Sequence, residues 1–189
     1  MKMKKQFFKL GLAASLVLGG LNIANAADTA TVKITGRVID ATCDVSPQGL
    51  TGNTLDLGGW APTAFADATT KVGTKPFSVG LSNCSGTTDA AKDVYLTVSG
   101  NSMAGAPNLF ADLGTQTVGV ELANASDNSV VKNGDAIPMS VTADAGDPTK
   151  ASGKVVQFNA SMVDPNASAT VHPAAQNVQA TLVFAVDYK

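Results

Sequence analysis

The sequence predicts an all-β chain folded as two antiparallel sheets packed face to face. Apolar residues recur at every second position in run after run, the period of a strand with one buried and one solvated face. No window carries a sustained apolar stripe at helical spacing. Clusters of turn-forming residues separate the runs: Ser99-Gly100-Asn101, Asn133-Gly134-Asp135, Gly146-Asp147-Pro148 and Asp164-Pro165-Asn166. About eight such strands make a sandwich, because each apolar face needs a second sheet to cover it.

The first 26 residues stand apart from this pattern. Lys2, Lys4, Lys5 and Lys9 make a basic start, Leu10 to Leu21 form a short apolar run, and Ala24-Asn25-Ala26 is a small-x-small cleavage site. This is the layout of a secretory signal peptide. A membrane anchor fits less well, since the run is shorter than the roughly 20 residues that span a bilayer. Removing residues 1–26 leaves 163, the size of one domain with a real core.

The first alternating segment is Thr29 to Cys43, where Ala30, Val32, Ile34, Gly36 and Val38 interleave with Thr31, Lys33, Thr35 and Arg37. A shorter strand is expected at Thr54 to Leu57. Phe77, Val79 and Leu81 alternate with Ser78, Gly80 and Ser82, and Val94, Leu96 and Val98 with Tyr95, Thr97 and Ser99. Further runs are Val118 to Leu122, Ile137 to Val141 and Val156 to Met162. The longest closes the chain, with Val178, Ala180, Leu182, Phe184, Val186 and Tyr188 at every second position. Gly58 to Thr74 and Ala167 to Asn177 are rich in Ala, Thr, Gly and Pro and read as loops or helical turns.

The inventory of reactive side chains is thin. Without the four signal lysines, nine basic residues face 15 acidic ones, a formal balance of −6. Nucleic acid and anionic membranes are therefore poor partners, because both are bound through concentrated positive charge. The two cysteines, Cys43 and Cys84, are most simply one disulfide in an exported chain. A metal pair would want further Cys or His ligands, and His172 is the single histidine. No catalytic, metal or cofactor site is expected. His172 lies in an Ala/Ser/Pro-rich stretch that suits a solvated loop better than a catalytic triad. Asp89, Asp127, Asp135, Asp144, Asp147 and Asp164 fall in expected turns, where Asp has a structural reason to be, which weakens a glycosidase reading.

The order of four pieces carries a resemblance: TVKITGRVIDATC, then FSVGLSNC, then VGVELANASDNSVVKNG, then a terminal ATLVFAVDYK. The chain resembles fimbrial (pilus) subunits of the chaperone-usher pathway, of the type 1 fimbrial kind. The resemblance implies an incomplete immunoglobulin-like β-sandwich, completed by a donor strand. It further implies a periplasmic chaperone that fills the open groove first, and a neighbouring pilus subunit whose amino-terminal extension replaces it. An outer-membrane usher and a host receptor are the remaining partners it suggests, and the destination is the bacterial cell surface. Carried onto this chain, residues 27–39 are the donor extension and 40–189 the body. Ala30, Val32, Ile34, Gly36 and Val38 would point into a neighbour's groove, while Cys43 and Cys84 match the family disulfide joining the first two strands. Leu182, Phe184, Val186 and Tyr188 match the terminal strand that borders the groove and is read by the chaperone. Burying Val32, Ile34 and Val38 would contribute about 4 to 9 kcal/mol, opposed by ordering entropy. With one domain, a shaft or minor structural subunit is expected. The residues alone also allow a self-contained secreted sandwich that binds a carbohydrate or protein as a monomer.

Overall fold

The structure is a computed structural model that describes residues 41–86, 92–139 and 147–189. The chain divides into two compact units, Met1–Arg37 and Val38–Lys189, and every described residue belongs to the second. Ten strands follow in order: β1 (Ala41–Gln48), β2 (Val72–Gly86), β3 (Val94–Gly100), β4 (Ser102–Met103), β5 (Ala106–Phe110), β6 (Gly119–Asn124), β7 (Val130–Val131), β8 (Ala136–Pro138), β9 (Val155–Val163) and β10 (Leu182–Tyr188). Short 3-10 turns at Pro62–Ala64 and Pro148–Ala151 start on proline, whose fixed φ suits a first helical position.

The strands form two antiparallel sheets, as the alternation predicts. The larger runs β1-β2-β9-β6-β5-β4, with β7 also paired to β6, and the smaller runs β10-β3-β8. β2 is the longest strand and joins two neighbours. Its last residues pair with β1, from Ser78↔Gln48 to Gly86↔Ala41, and its earlier ones pair with β9, with Phe77 opposite Phe158.

The inward positions are the apolar members of the alternating runs. Val79 and Leu81 from β2, Leu96 and Val98 from β3, Leu122 from β6 and Phe158 from β9 meet in one buried cluster. Three aromatic rings span the gap between the sheets: Phe77, Phe158 and Phe184 lie with centroids 5.4, 5.5 and 6.0 Å apart. Such spacings favour offset or edge contacts over loose hydrophobic filling. On β6, Gly119 lets the β5 side chain of Leu109 press against the strand, since a Cβ there would lie 2.7 Å from Leu109 Cβ.

Two expectations change. Thr54 to Leu57 is not a strand: Thr51 and Thr54 close a bridged turn through Gly52 and Asn53, both at positive φ, and the residues after it have no ladder partner among the described residues. The terminal run is a strand only from Leu182, because β3 stops at Gly100 opposite it. The small strands β4 and β5 lack the alternation that marks the others, and nothing in the sequence announced them.

Cys43 on β1 and Cys84 on β2 are joined by a disulfide across 41 residues of sequence. Replacing both by serine should lower stability by about 4 kcal/mol, from the chain entropy returned to the unfolded state. Leu122→Ala should lower it by about 2–5 kcal/mol, as for other large-to-small changes at fully buried sites. Urea unfolding measures both, and a Leu122→Ala loss below about 1 kcal/mol would contradict the packing described.

Candidate functional site: an apolar groove beside the last strand

The inner edge of β10 is paired with β3 from Leu182↔Gly100 to Tyr188↔Val94. Just beyond it, Lys189 and Asp93 exchange both main-chain bonds, at 2.8 and 3.1 Å. In an antiparallel ladder the bonded residues alternate. Asp187, Ala185 and Val183 therefore direct their main-chain groups toward β3. Leu182, Phe184, Val186 and Tyr188 direct theirs to the outer edge, where no described strand pairs with them. The same four residues turn their side chains onto the core, half-buried. Val183, on the opposite face, is 55% exposed.

An open groove of about 1230 Å³ runs beside the first part of this edge, at Leu182 and Phe184, and along the residues that precede it from Pro173. Its floor is the larger sheet, at Phe77, Val120, Ala160 and Met162, and its far wall is the segment that follows the Thr51–Thr54 turn, from Thr54 to Trp60. In that wall Leu55 and Leu57 pack on the core, yet no main-chain to main-chain hydrogen bond joins residues 55–57 to another described residue. Gly58 N donates to Asp56 Oδ1 (2.8 Å) and Trp60 Nε1 to Leu57 O (2.8 Å), which closes the end of the wall. This turn sits on a bulge in β2 that only glycine fits. Gly73 has φ +67°, and a Cβ there would lie 2.5 Å from Leu57 O and 2.8 Å from Trp60 Nε1. Trp60, the sole tryptophan, is held in this way while remaining 55% exposed at the groove's rim.

The residues named from the sequence divide as follows. Leu182, Phe184, Val186 and Tyr188 lie together on the groove-side strand, and Cys43 and Cys84 are bonded beside its lower end. Ala30, Val32, Ile34, Gly36 and Val38 lie outside the described residues. The unpaired far wall and the Trp60 rim escaped sequence reasoning; the GGW step at Gly58-Gly59-Trp60 was their only visible trace.

The other reactive groups have structural employment. His172 Nδ1–H donates to Phe65 O at 3.0 Å, tying one loop to another. Asp127, Asp135, Asp147 and Asp164 each accept a backbone N–H, from Ser129, Lys132, Thr149 and Asn166. The Ser129 hydroxyl and amide hold the Asp127 carboxyl below the usual range. Buried Glu121 pairs with Lys71. Asp89 and Asp144 lie outside the described residues.

The family model described as fimbrial protein matches residues 32–189. The Fimbria A protein of Serratia marcescens is 29% identical over 168 residues, covering 87% of this chain and 90% of that protein. The Major MR/P fimbria protein of Proteus mirabilis (strain HI4320) is 36% identical over 103 residues, 53% of this chain and 55% of that one. Among solved structures, the P pilus rod subunit PapA aligns with a TM-score of 0.54 at 20% identity, over 84% of this chain and 100% of its own. A subunit in a chaperone-usher pilus structure aligns with 0.51 at 19%, over 86% and 97%. At those identities the likeness shows the fold.

Tyr188 closes the lower end of the groove edge, its hydroxyl donating to Cys43 Sγ at 3.8 Å. Burial raises its pKa above the ordinary value of 10.0. A phenol with a raised folded-state pKa contributes stability that is complete below the unfolded pKa and is lost as pH rises through the folded one. Urea unfolding between pH 9 and 12 should show stability falling above about pH 10, and Tyr188→Phe should flatten that fall; an unchanged slope in the variant would rule the assignment out.

Proposed function

The chain belongs to the fimbrial protein family, and from that premise we propose that it is a structural pilus subunit that polymerises by strand exchange. Residues 27–39 of one copy enter the groove of the next. Non-enzymatic service is in keeping with the same inventory, since His172 and the described turn acids Asp127, Asp135, Asp147 and Asp164 are engaged in turns and loop ties.

The observation that carries the reading is the coincidence, on the same four residues of β10, of outward main-chain groups and core-facing apolar side chains. A strand laid along this edge would supply the missing ladder and would lower alternate side chains onto the groove floor. Ala30, Val32, Ile34, Gly36 and Val38 have the required period. Their nine-residue reach is about 30 Å and the wall from Val178 to Tyr188 about 36 Å, so one extension serves most of the edge. Extension and groove are different segments of one chain. Their contact is head-to-tail, and repetition without closure makes a filament.

Before assembly the groove exposes apolar surface and a strand edge, both aggregation hazards. A periplasmic chaperone that lends a strand of its own answers that hazard, and an outer-membrane usher would pass the subunit on. The signal-like residues 1–26 fit export along this route to the cell surface, where the filament would support adhesion. A self-contained monomer would need the β10 edge already satisfied, and no described strand satisfies it.

Filament formation tests the proposal. Ile34→Asp places a charge where a buried aliphatic is required, so the variant should be exported but form no filaments by electron microscopy. A synthetic peptide of residues 27–39 at 100 times its Kd should stabilise the subunit by about 2.7 kcal/mol against urea. Filaments of Ile34→Asp at the wild-type level would refute strand exchange through this segment.

A further inference from the structure

Above Leu182 the groove wall has no ladder behind it. β3 ends at Gly100, and Thr181 O and the Phe110 ring crowd that glycine so closely that a Cβ would lie 2.8 and 3.0 Å from them. Residues 176–181 are held instead by the loop that follows β5. Asp112 N donates to Gln179 O (2.9 Å), and Thr181 Oγ1 donates to Asp112 Oδ2 (2.6 Å). Thr117 N donates to Gln176 Oε1 (2.9 Å), while Gln176 Nε2 donates to Thr117 Oγ1 (2.7 Å).

Gln116 is the buried centre of this bracket, 8% exposed. Its Oε1 accepts from Leu113 N (3.0 Å) and Gln179 N (3.2 Å), and its Nε2 donates to Val118 O (3.0 Å). A reversed amide would set its NH2 against two donors and its oxygen against a carbonyl, so one orientation alone satisfies the site. Val118 belongs to the groove floor, and Gln179 lies between Val178 and Ala180, whose side chains pack toward that floor. At this end of the groove a buried side chain therefore ties floor to wall, where from Leu182 onward the wall is backed by its ladder to β3.

We propose that Gln116 is a positioning residue that sets the width of this end of the groove, and with it the size of donor side chain the subunit accepts there. The assignment rests on the strand-exchange reading. Loss of the amide would leave the Leu113 and Gln179 N–H groups and Val118 O without their partner, and the wall would be held by the Asp112–Gln179 main-chain bond and its exposed bonds at Gln176 and Thr181. Val178 and Ala180 would then yield to a bulkier occupant, while the rest of the groove, backed by β3, would not.

The test measures how tightly the full chain and its Gln116→Ala variant bind synthetic peptides of residues 27–39. Position 30, 32, 34, 36 or 38 carries either Ala or Trp, one position at a time. The wild-type chain should bind the Trp form of one terminal position, 30 or 38, about tenfold more weakly than its Ala form. In Gln116→Ala that ratio should fall below about threefold, with the other four ratios unchanged. A purely structural role would shift all five ratios together or weaken every peptide alike; either result overturns the assignment, as does no shift at all. Should Gln116→Ala not fold, the surface pair Gln176→Ala and Thr181→Ala loosens the same segment and should relieve the same position. If the wild-type chain binds none of the peptides, strand exchange itself is refuted and the role of Gln116 with it.

Discussion

Main-chain hydrogen bonding governs this molecule through the groups it leaves over. Along β10, every second residue turns its N–H and C=O to an edge where no described strand receives them, the Tyr188 N–H alone being taken by Asp187 Oδ1, while its side chain favours burial. Water can satisfy the first demand and burial the second, but a single surface cannot meet both. Unpaired main-chain groups are costly to bury, and apolar rows are costly to expose. Another strand resolves the conflict because it brings hydrogen-bonding groups at ladder spacing and apolar side chains at the matching period. The opposite wall has the same deficit: Leu55 and Leu57 pack inward from a backbone without ladder bonds. Among the described residues the immunoglobulin-like sandwich is thus incomplete along one line, with an apolar row on each bank of the gap.

What keeps the gap open is the stiffness of its surroundings. The floor belongs to the larger sheet, whose strands are paired on both sides at β2, β9 and β6. The three phenylalanines bind β10 to that floor, and the Gly73 bulge seats the far wall. The end near Val178 has no ladder behind it and depends on side-chain hydrogen bonds centred on Gln116. Geometry set by a ladder is shared among many bonds, whereas geometry set by one buried amide is concentrated in a residue that substitution can remove.

The larger features were legible in the sequence because they repeat. Alternation located β2, β3, β6, β9 and β10, and the two cysteines found each other as expected. The groove-side face of the last strand was legible from its even-numbered apolar positions. Thr54 to Leu57 misled because alternation reports where side chains point, and extended chain points them alternately whether or not a neighbour pairs with it. Leu55 and Leu57 turn inward with Asp56 exposed between them, so the segment has the pattern of a strand without a ladder partner among the described residues. β4 and β5 were too short to show a period. Gln116 gave no signal at all: a polar residue in a loop reads as solvated, and its burial follows from the distant Gln179, 63 residues away.

The position of the disulfide has a mechanical meaning. Cys43 lies four residues beyond the segment proposed to leave the body for a neighbour, so a pull along the filament would enter the domain next to a covalent cross-link. The load would pass at once into β2, the longest strand, and spread from there through the larger sheet. Without that link, tension would peel β1 from its neighbour one hydrogen bond at a time. With it, the bonds beyond Cys43 are shielded, and the subunit can transmit force without unravelling from its attached end.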